Sequence, residues 1–84
     1  MLHLEIITPE KQVFDGEVIS ATFPGSKGSF QVLHNHAPII SALDKGLVVY
    51  DTGQLRKGVM ISGGMVEVLN NKIIVLAESV LEAN

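Results

Sequence analysis

Turn-forming residues cut this chain into apolar segments that are too short for helices and well suited to strands. Pro9, Pro24-Gly25, Lys27-Gly28, Asp44-Lys45-Gly46, Asp51-Thr52-Gly53-Gln54, Gly63-Gly64 and Asn70-Asn71 supply the breaks. Between them apolar and polar residues alternate, as in Leu2, Leu4 and Ile6 against His3 and Glu5. No window of about eleven residues carries a sustained i, i+3, i+4 stripe. The expected fold is all-β, a two-sheet antiparallel β-sandwich or flattened barrel.

Taken in order, Leu2 to Ile6 predicts a strand with one buried face, ended by Thr8-Pro9-Glu10-Lys11. Asp15-Gly16 reads as either a tight turn or a bulge in one long strand, after which Ile19, Ala21 and Phe23 are expected on one face. Ile39-Ile40 and Ala42-Leu43 predict a strand. Leu47-Val48-Val49-Tyr50 predicts one covered on both faces or at a covered edge. Arg56 to Ser62, Met65 to Leu69 and Lys72 to Ala77 complete the set. Asn70-Asn71 forms the clearest hairpin loop, because Asn tolerates positive φ. Met60 and Met65 are expected to fill the core. Ser79 to Asn84 is too short for a helix that stands alone.

The stretch from Phe23 to Leu43 is the one that strand alternation does not explain. Two turns within five residues, the short strand Phe30 to Leu33 and the polar corner His34-Asn35-His36-Ala37-Pro38 place demanding loops beside a β scaffold. This is the stretch expected to touch a partner. Phe30 is expected to plug the core.

The chain has 84 residues, enough for a single domain over 1–84 with a modest core. No Cys is present, which removes disulfides, thiolate metal sites and thiol nucleophiles and suits a reducing compartment. Met1 to Glu5 shows no basic segment leading into a long apolar run, so neither a signal peptide nor a membrane span is expected. The net charge is −3 and the six Lys and Arg are scattered, so no nucleic-acid partner is expected.

No motif for catalysis stands up. Gly25-Ser26-Lys27-Gly28-Ser29 lacks the spacing and following helix of a phosphate loop. His34 and His36 have no further ligands at metal-site spacing. The run His34-Asn35-His36 spells a nuclease signature without its context, and Ser62-Gly63-Gly64 lacks the first glycine of a nucleophile elbow. No cofactor, metal or catalytic residue is expected.

An ordered series of segments does carry a resemblance: Leu4-Glu5-Ile6-Ile7-Thr8-Pro9-Glu10, Val13-Phe14-Asp15-Gly16-Glu17-Val18, Phe23-Pro24-Gly25-Ser26-Lys27-Gly28-Ser29-Phe30, His36-Ala37-Pro38-Ile39-Ile40-Ser41-Ala42-Leu43, Lys45-Gly46 and Ile61-Ser62-Gly63-Gly64-Met65-Val66-Glu67-Val68. Together they resemble the N-terminal β-sandwich domain of the epsilon subunit family of rotary, F-type ATP synthase. The resemblance implies about ten short strands and a non-catalytic rotor subunit. Such a subunit stands at the foot of the central stalk, couples the gamma subunit to the c-ring during proton-driven ATP synthesis, and contacts the polar loops of that ring. It implies a peripheral subunit on the cytoplasmic face of a bacterial plasma membrane. By the same match Lys27, Ser29, Gln31 and His36 are expected to face the c-ring, and Ser41 and Ser62 to face gamma.

Two departures from the family pattern follow. Many members carry an acidic residue where this chain has Ser29, so a Coulomb contribution there is lost. Many also continue into a helical hairpin that can inhibit the enzyme, whereas this sequence ends at Asn84; the expectation is a subunit that couples without self-inhibition. The alternative is a free-standing β-sandwich that binds a carbohydrate or small ligand on aromatic platforms. For that only Phe14, Phe23, Phe30 and Tyr50 are available, and the core is expected to claim most of them.

Overall fold

The computed structural model describes residues 1–81. Among the described residues it contains nine strands: β1 Leu2–Ile7, β2 Gln12–Val18, β3 Ser20–Phe23, β4 Phe30–Val32, β5 Ile39–Leu43, β6 Gly46–Asp51, β7 Arg56–Ile61, β8 Gly64–Leu69 and β9 Lys72–Ala77. They form a five-stranded sheet in the order β2-β1-β9-β8-β5 and a four-stranded sheet in the order β4-β3-β6-β7. Every pairing is antiparallel except β1 with β9, which is parallel. The β-sandwich expected from turn spacing is therefore the fold.

One core fills the space between the sheets. Leu2, Leu4 and Ile6 enter it from β1, Val66 and Val68 from β8, and Ile73, Val75 and Ala77 from β9. Ala21, Phe23, Val32, Val48, Tyr50 and Ile61 meet them from the smaller sheet. Period-2 alternation sends these side chains inward and their neighbours to solvent. Phe14 packs on Tyr50 at a ring-centroid distance of 4.3 Å, and Phe30 on Phe23 at 5.6 Å. Phe30 is half-buried against the core, so all four aromatic rings are engaged in packing.

Asn70 and Asn71 adopt φ of 51° and 62° in the β8–β9 loop, as their sequence position predicts. Gly64 is required where it stands: a Cβ there would lie 2.2 Å from the Leu76 carbonyl oxygen.

Several local expectations are corrected. Asp15-Gly16 is neither a turn nor a bulge; both residues pair regularly, with Glu5 and Leu4. The glycine instead makes room for the Phe14 ring, whose Cζ would lie 3.1 Å from an added Cβ. The register irregularity falls between Ile6 and Ile7. Ile19 does not share a face with Ala21 and Phe23: the chain breaks there as it passes from the larger sheet to the smaller, leaving Ile19 50% exposed. Leu47–Tyr50 is covered on one face only, with Val48 and Tyr50 buried and Leu47 exposed. β4 ends at Val32, and Leu33 instead accepts a turn hydrogen bond from the His36 N–H. Met65 lies outside the core, and Met60 is half-buried. Past β9, Val80 bridges Ile61 and the Leu81 N–H donates to Met60 O; the rest of the expected non-helical tail, 82–84, lies outside the described residues.

Candidate functional site

The strand registers line up three rows of side chains across the outer face of the five-stranded sheet. One runs Ile40, Glu67, Ile74, Glu5, Asp15; the next runs Ala42, Met65, Leu76, Ile7, Gln12. The third runs Leu69, Lys72, His3, Glu17. On β1 and β2 the residues other than Ile7 are polar, with His3 Nε2 2.5 Å from Asp15 Oδ1 and Gln12 Nε2 donating to Glu5 Oε2 at 2.8 Å. On β5, β8 and β9 the outward residues other than Glu67 and Lys72 are apolar, and four are open: Ile40 is 68% exposed, Leu76 55%, Leu69 49% and Met65 45%. A largely apolar patch of this kind around Glu67 on a small domain marks a contact surface.

These exposed apolar residues were not singled out from sequence. A signal was present, since Glu67 shares its parity with Met65 and Leu69 and opposes Val66 and Val68. A carboxylate in the middle of a strand reports which face meets water.

The polar loops form a second region. Lys27 and Ser29 occupy the exposed β3–β4 loop, Gln31 is exposed on β4, and His36 lies in the β4–β5 loop. Register places Lys27 and Ser29 at the end of the sandwich that also holds Ser62 and the β5–β6 turn. His36 belongs to the opposite end, with Asn70 and Asn71. The four residues are thus strung along the flank formed by edge strand β4 and are not gathered at one point. His36 Nδ1 lies 2.6 Å from the Ala37 carbonyl, which as acceptor holds the proton on Nδ1 and leaves Nε2 open. The corner itself is rigid: Asn35 N–H donates to Asn71 Oδ1 at 2.6 Å and Asn71 Nδ2 donates to Asn35 Oδ1 at 3.2 Å.

Ser41 and Ser62 are also apart. Ser41 sits on edge strand β5, its hydroxyl donating to Ala42 O at 3.0 Å. Ser62 lies in the crossing from β7 to β8, half-buried, where it accepts from Ser79 Oγ at 2.8 Å. Ser41 therefore adjoins the apolar patch through its neighbour Ile40, whereas Ser62 is tied to the segment after β9.

Among the described residues no group of three or more His, Asp or Glu is placed to hold a metal ion. Burial raises the Tyr50 phenol above its ordinary value, and that ring belongs to the core. No helix among the described residues is long and apolar enough to cross a membrane.

Comparison with known proteins adds the context. The chain is 45% identical over 78 residues to the ATP synthase epsilon chain of Nitratidesulfovibrio vulgaris (strain Miyazaki F), covering 93% of this chain and 58% of that one. It is 42% identical over 78 residues to the ATP synthase epsilon chain of Campylobacter curvus, covering 92% and 60% respectively. The chain thus spans a little over half the length of these relatives.

Two solved structures share the fold. One is from the cryo-EM structure of Euglena gracilis mitochondrial ATP synthase, OSCP/F1/c-ring, with a TM-score of 0.89 at 18% identity over 95% of this chain and 52% of that one. The other is from the central stalk/c-ring structure of Tetrahymena thermophila mitochondrial ATP synthase, with a TM-score of 0.81 at 17% identity over 96% and 66%. At such identities the likeness is one of fold. The family described as ATP synthase, Delta/Epsilon chain, beta-sandwich domain matches residues 1–83, and the chain belongs to that family.

Proposed function

We propose that this chain is the β-sandwich of a non-catalytic rotor subunit of F-type ATP synthase. In this role it links the gamma subunit to the c-ring and transmits torque between them during proton-driven ATP synthesis. The observation that carries the proposal is the family match over residues 1–83 on a sandwich with two separate kinds of surface. The apolar half of the larger sheet, from Ile40 on β5 across to Leu76 on β9, suits a permanent protein contact and is assigned to gamma. Ser41 lies on the edge of that surface.

The flank of β4, with Lys27, Ser29, Gln31 and His36, is assigned to the polar loops of the c-ring. Those four side chains are polar, with Leu33 exposed among them, and the Asn35–Asn71 lock holds one end of the flank in a fixed shape. A surface that conveys force gains from such stiffness. Ser62 is assigned to the rim of the gamma contact, with its hydroxyl already engaged by Ser79. The subunit works as a peripheral member of the complex on the cytoplasmic face of a bacterial membrane.

Retention of this chain by purified gamma subunit tests the assignment. The unmutated chain is expected to be retained, Ser62→Trp to weaken retention at the rim, and His36→Ala to leave it unchanged because that residue is assigned to the ring. Failure of the unmutated chain to bind gamma would contradict the proposal.

A further inference from the structure

Glu67 is the charged residue at the centre of the apolar half of the larger sheet. Its neighbours of the same parity on β8 are Met65 and Leu69, and the registers put Ile40 beside it on β5 and Ile74 beside it on β9. All four of these outward neighbours are apolar. On the polar half the sheet supplies partners to its carboxylates, Gln12 to Glu5 and His3 to Asp15. Glu67 has neither a hydrogen bond nor an ion pair among the described residues, and Lys72, diagonal to it on β9, does not bond it. Its carboxylate is left to solvent.

Two depressions adjoin Glu67, and it lines both. One of about 420 Å³ runs to Pro38 and Leu69, the other of about 240 Å³ to Met65 and Leu76. A surface that fills both must pass over the carboxylate between them. Covering it strips away its water, and an ionised carboxylate without water needs a cation set against it. A second copy of this chain does not meet that need, because a two-fold contact centred on Glu67 opposes Glu67 to Glu67. The patch therefore selects a partner of different chemistry.

We infer that Glu67 is the specificity-determining residue of the gamma contact: it takes an Arg or Lys from the gamma surface, and apolar side chains flanking that cation enter the two depressions. Arg suits the position best, since its stem packs along apolar neighbours such as Ile40 and Ile74 while its planar fork binds both carboxylate oxygens. The apolar ring supplies affinity. The charge pair fixes register and rejects a wholly apolar surface, which would bury the carboxylate unpaired. The inference rests on the stalk assignment and names the chemistry that gamma brings to it.

Titration calorimetry of the unmutated chain and of Glu67→Leu with purified gamma is the decisive measurement, because the two cases differ in sign. Added apolar area tightens a contact that is only apolar, whereas it leaves the cation of gamma buried without its partner if the pair exists. Glu67→Leu and Glu67→Gln are each expected to weaken gamma binding at least about tenfold. Gamma binding by Glu67→Leu as tight as or tighter than that of the unmutated chain overturns the inference and leaves the stalk assignment standing. An equal loss on Lys72→Met would make Lys72 the partner of Glu67 and also overturn it. If Glu67→Leu self-associates or fails to fold, Glu67→Gln decides, and an unchanged affinity there overturns the inference. Failure of the unmutated chain to bind gamma removes both the inference and the stalk assignment.

Discussion

The outer face of the five-stranded sheet is one surface with two characters. On β1 and β2 the outward side chains other than Ile7 are polar, and two pairs bond across the strands, His3 to Asp15 and Gln12 to Glu5. On β5, β8 and β9 the same parity delivers Ile40, Met65, Leu69 and Leu76 to solvent. Backbone geometry is shared, so the difference lies in side-chain chemistry alone. The polar half shows what this sheet needs in order to face water. The apolar half departs from it everywhere but at Glu67 and Lys72, and a departure of that kind marks a contact surface.

Four measurements would break or sharpen this contrast. The largest effect is expected beneath the surface, at a residue that serves both halves: Ile73→Ala empties a fully buried site on β9 and should lower stability by about 2–5 kcal/mol in urea denaturation. For a domain of this size, where total stability is on the order of 4–13 kcal/mol, that is a large share. On the apolar half, Ile40→Asp should cost at least about tenfold in gamma affinity, read by titration calorimetry, and shift stability by less than about 0.5 kcal/mol. A fall in stability as large as the fall in affinity would mean that the patch holds the fold and not a partner.

Asn71→Ala, in the loop joining the two apolar strands, places a Cβ residue without a capping side chain at φ 62° and severs the lock to Asn35. It should cost about 1–2 kcal/mol by thermal melting. The smallest effect belongs to the polar half. Asp15→Asn replaces the carboxylate that His3 bonds, in a contact whose side chains are 40% and 45% exposed, and solvent screening should hold the loss below about 0.5 kcal/mol, with gamma affinity unchanged.

The sandwich was legible in the sequence because its turns are chemically marked. Asn70-Asn71 and Gly63-Gly64 announce positive φ, and Leu2, Leu4 and Ile6 announce a buried face. What escaped was information that depends on neighbours distant in the chain. Gly16 looked like a turn residue, but its role is to lie under Phe14, which is fixed by Tyr50 from the other sheet. Met65 looked like core filler because hydrophobicity alone does not say which face a strand presents. The parity of Ile19 failed because a change of sheet resets alternation, and no residue type signals that change.

The parts of the site differed in the same way. Segment order pointed to the family, and through it to Lys27, Ser29, Gln31, His36, Ser41 and Ser62. It gave no hint that Lys27 and His36 occupy opposite ends of the sandwich, or that Glu67 stands unpaired among apolar neighbours.

The parallel pairing of β1 with β9 has a consequence for how the molecule comes into being. His3 sits beside Lys72 and Ile7 beside Leu76, so the first strand made by the ribosome waits for the last before its second flank is occupied. Such a ladder cannot form early by local zippering, because the whole stretch from β2 to β8 must be looped out to bring β1 and β9 together. A nascent chain halted before Lys72 should therefore resist acquiring native order. Arrival of Lys72–Ala77, more than any intermediate hairpin, is the event that commits this sandwich to its shape.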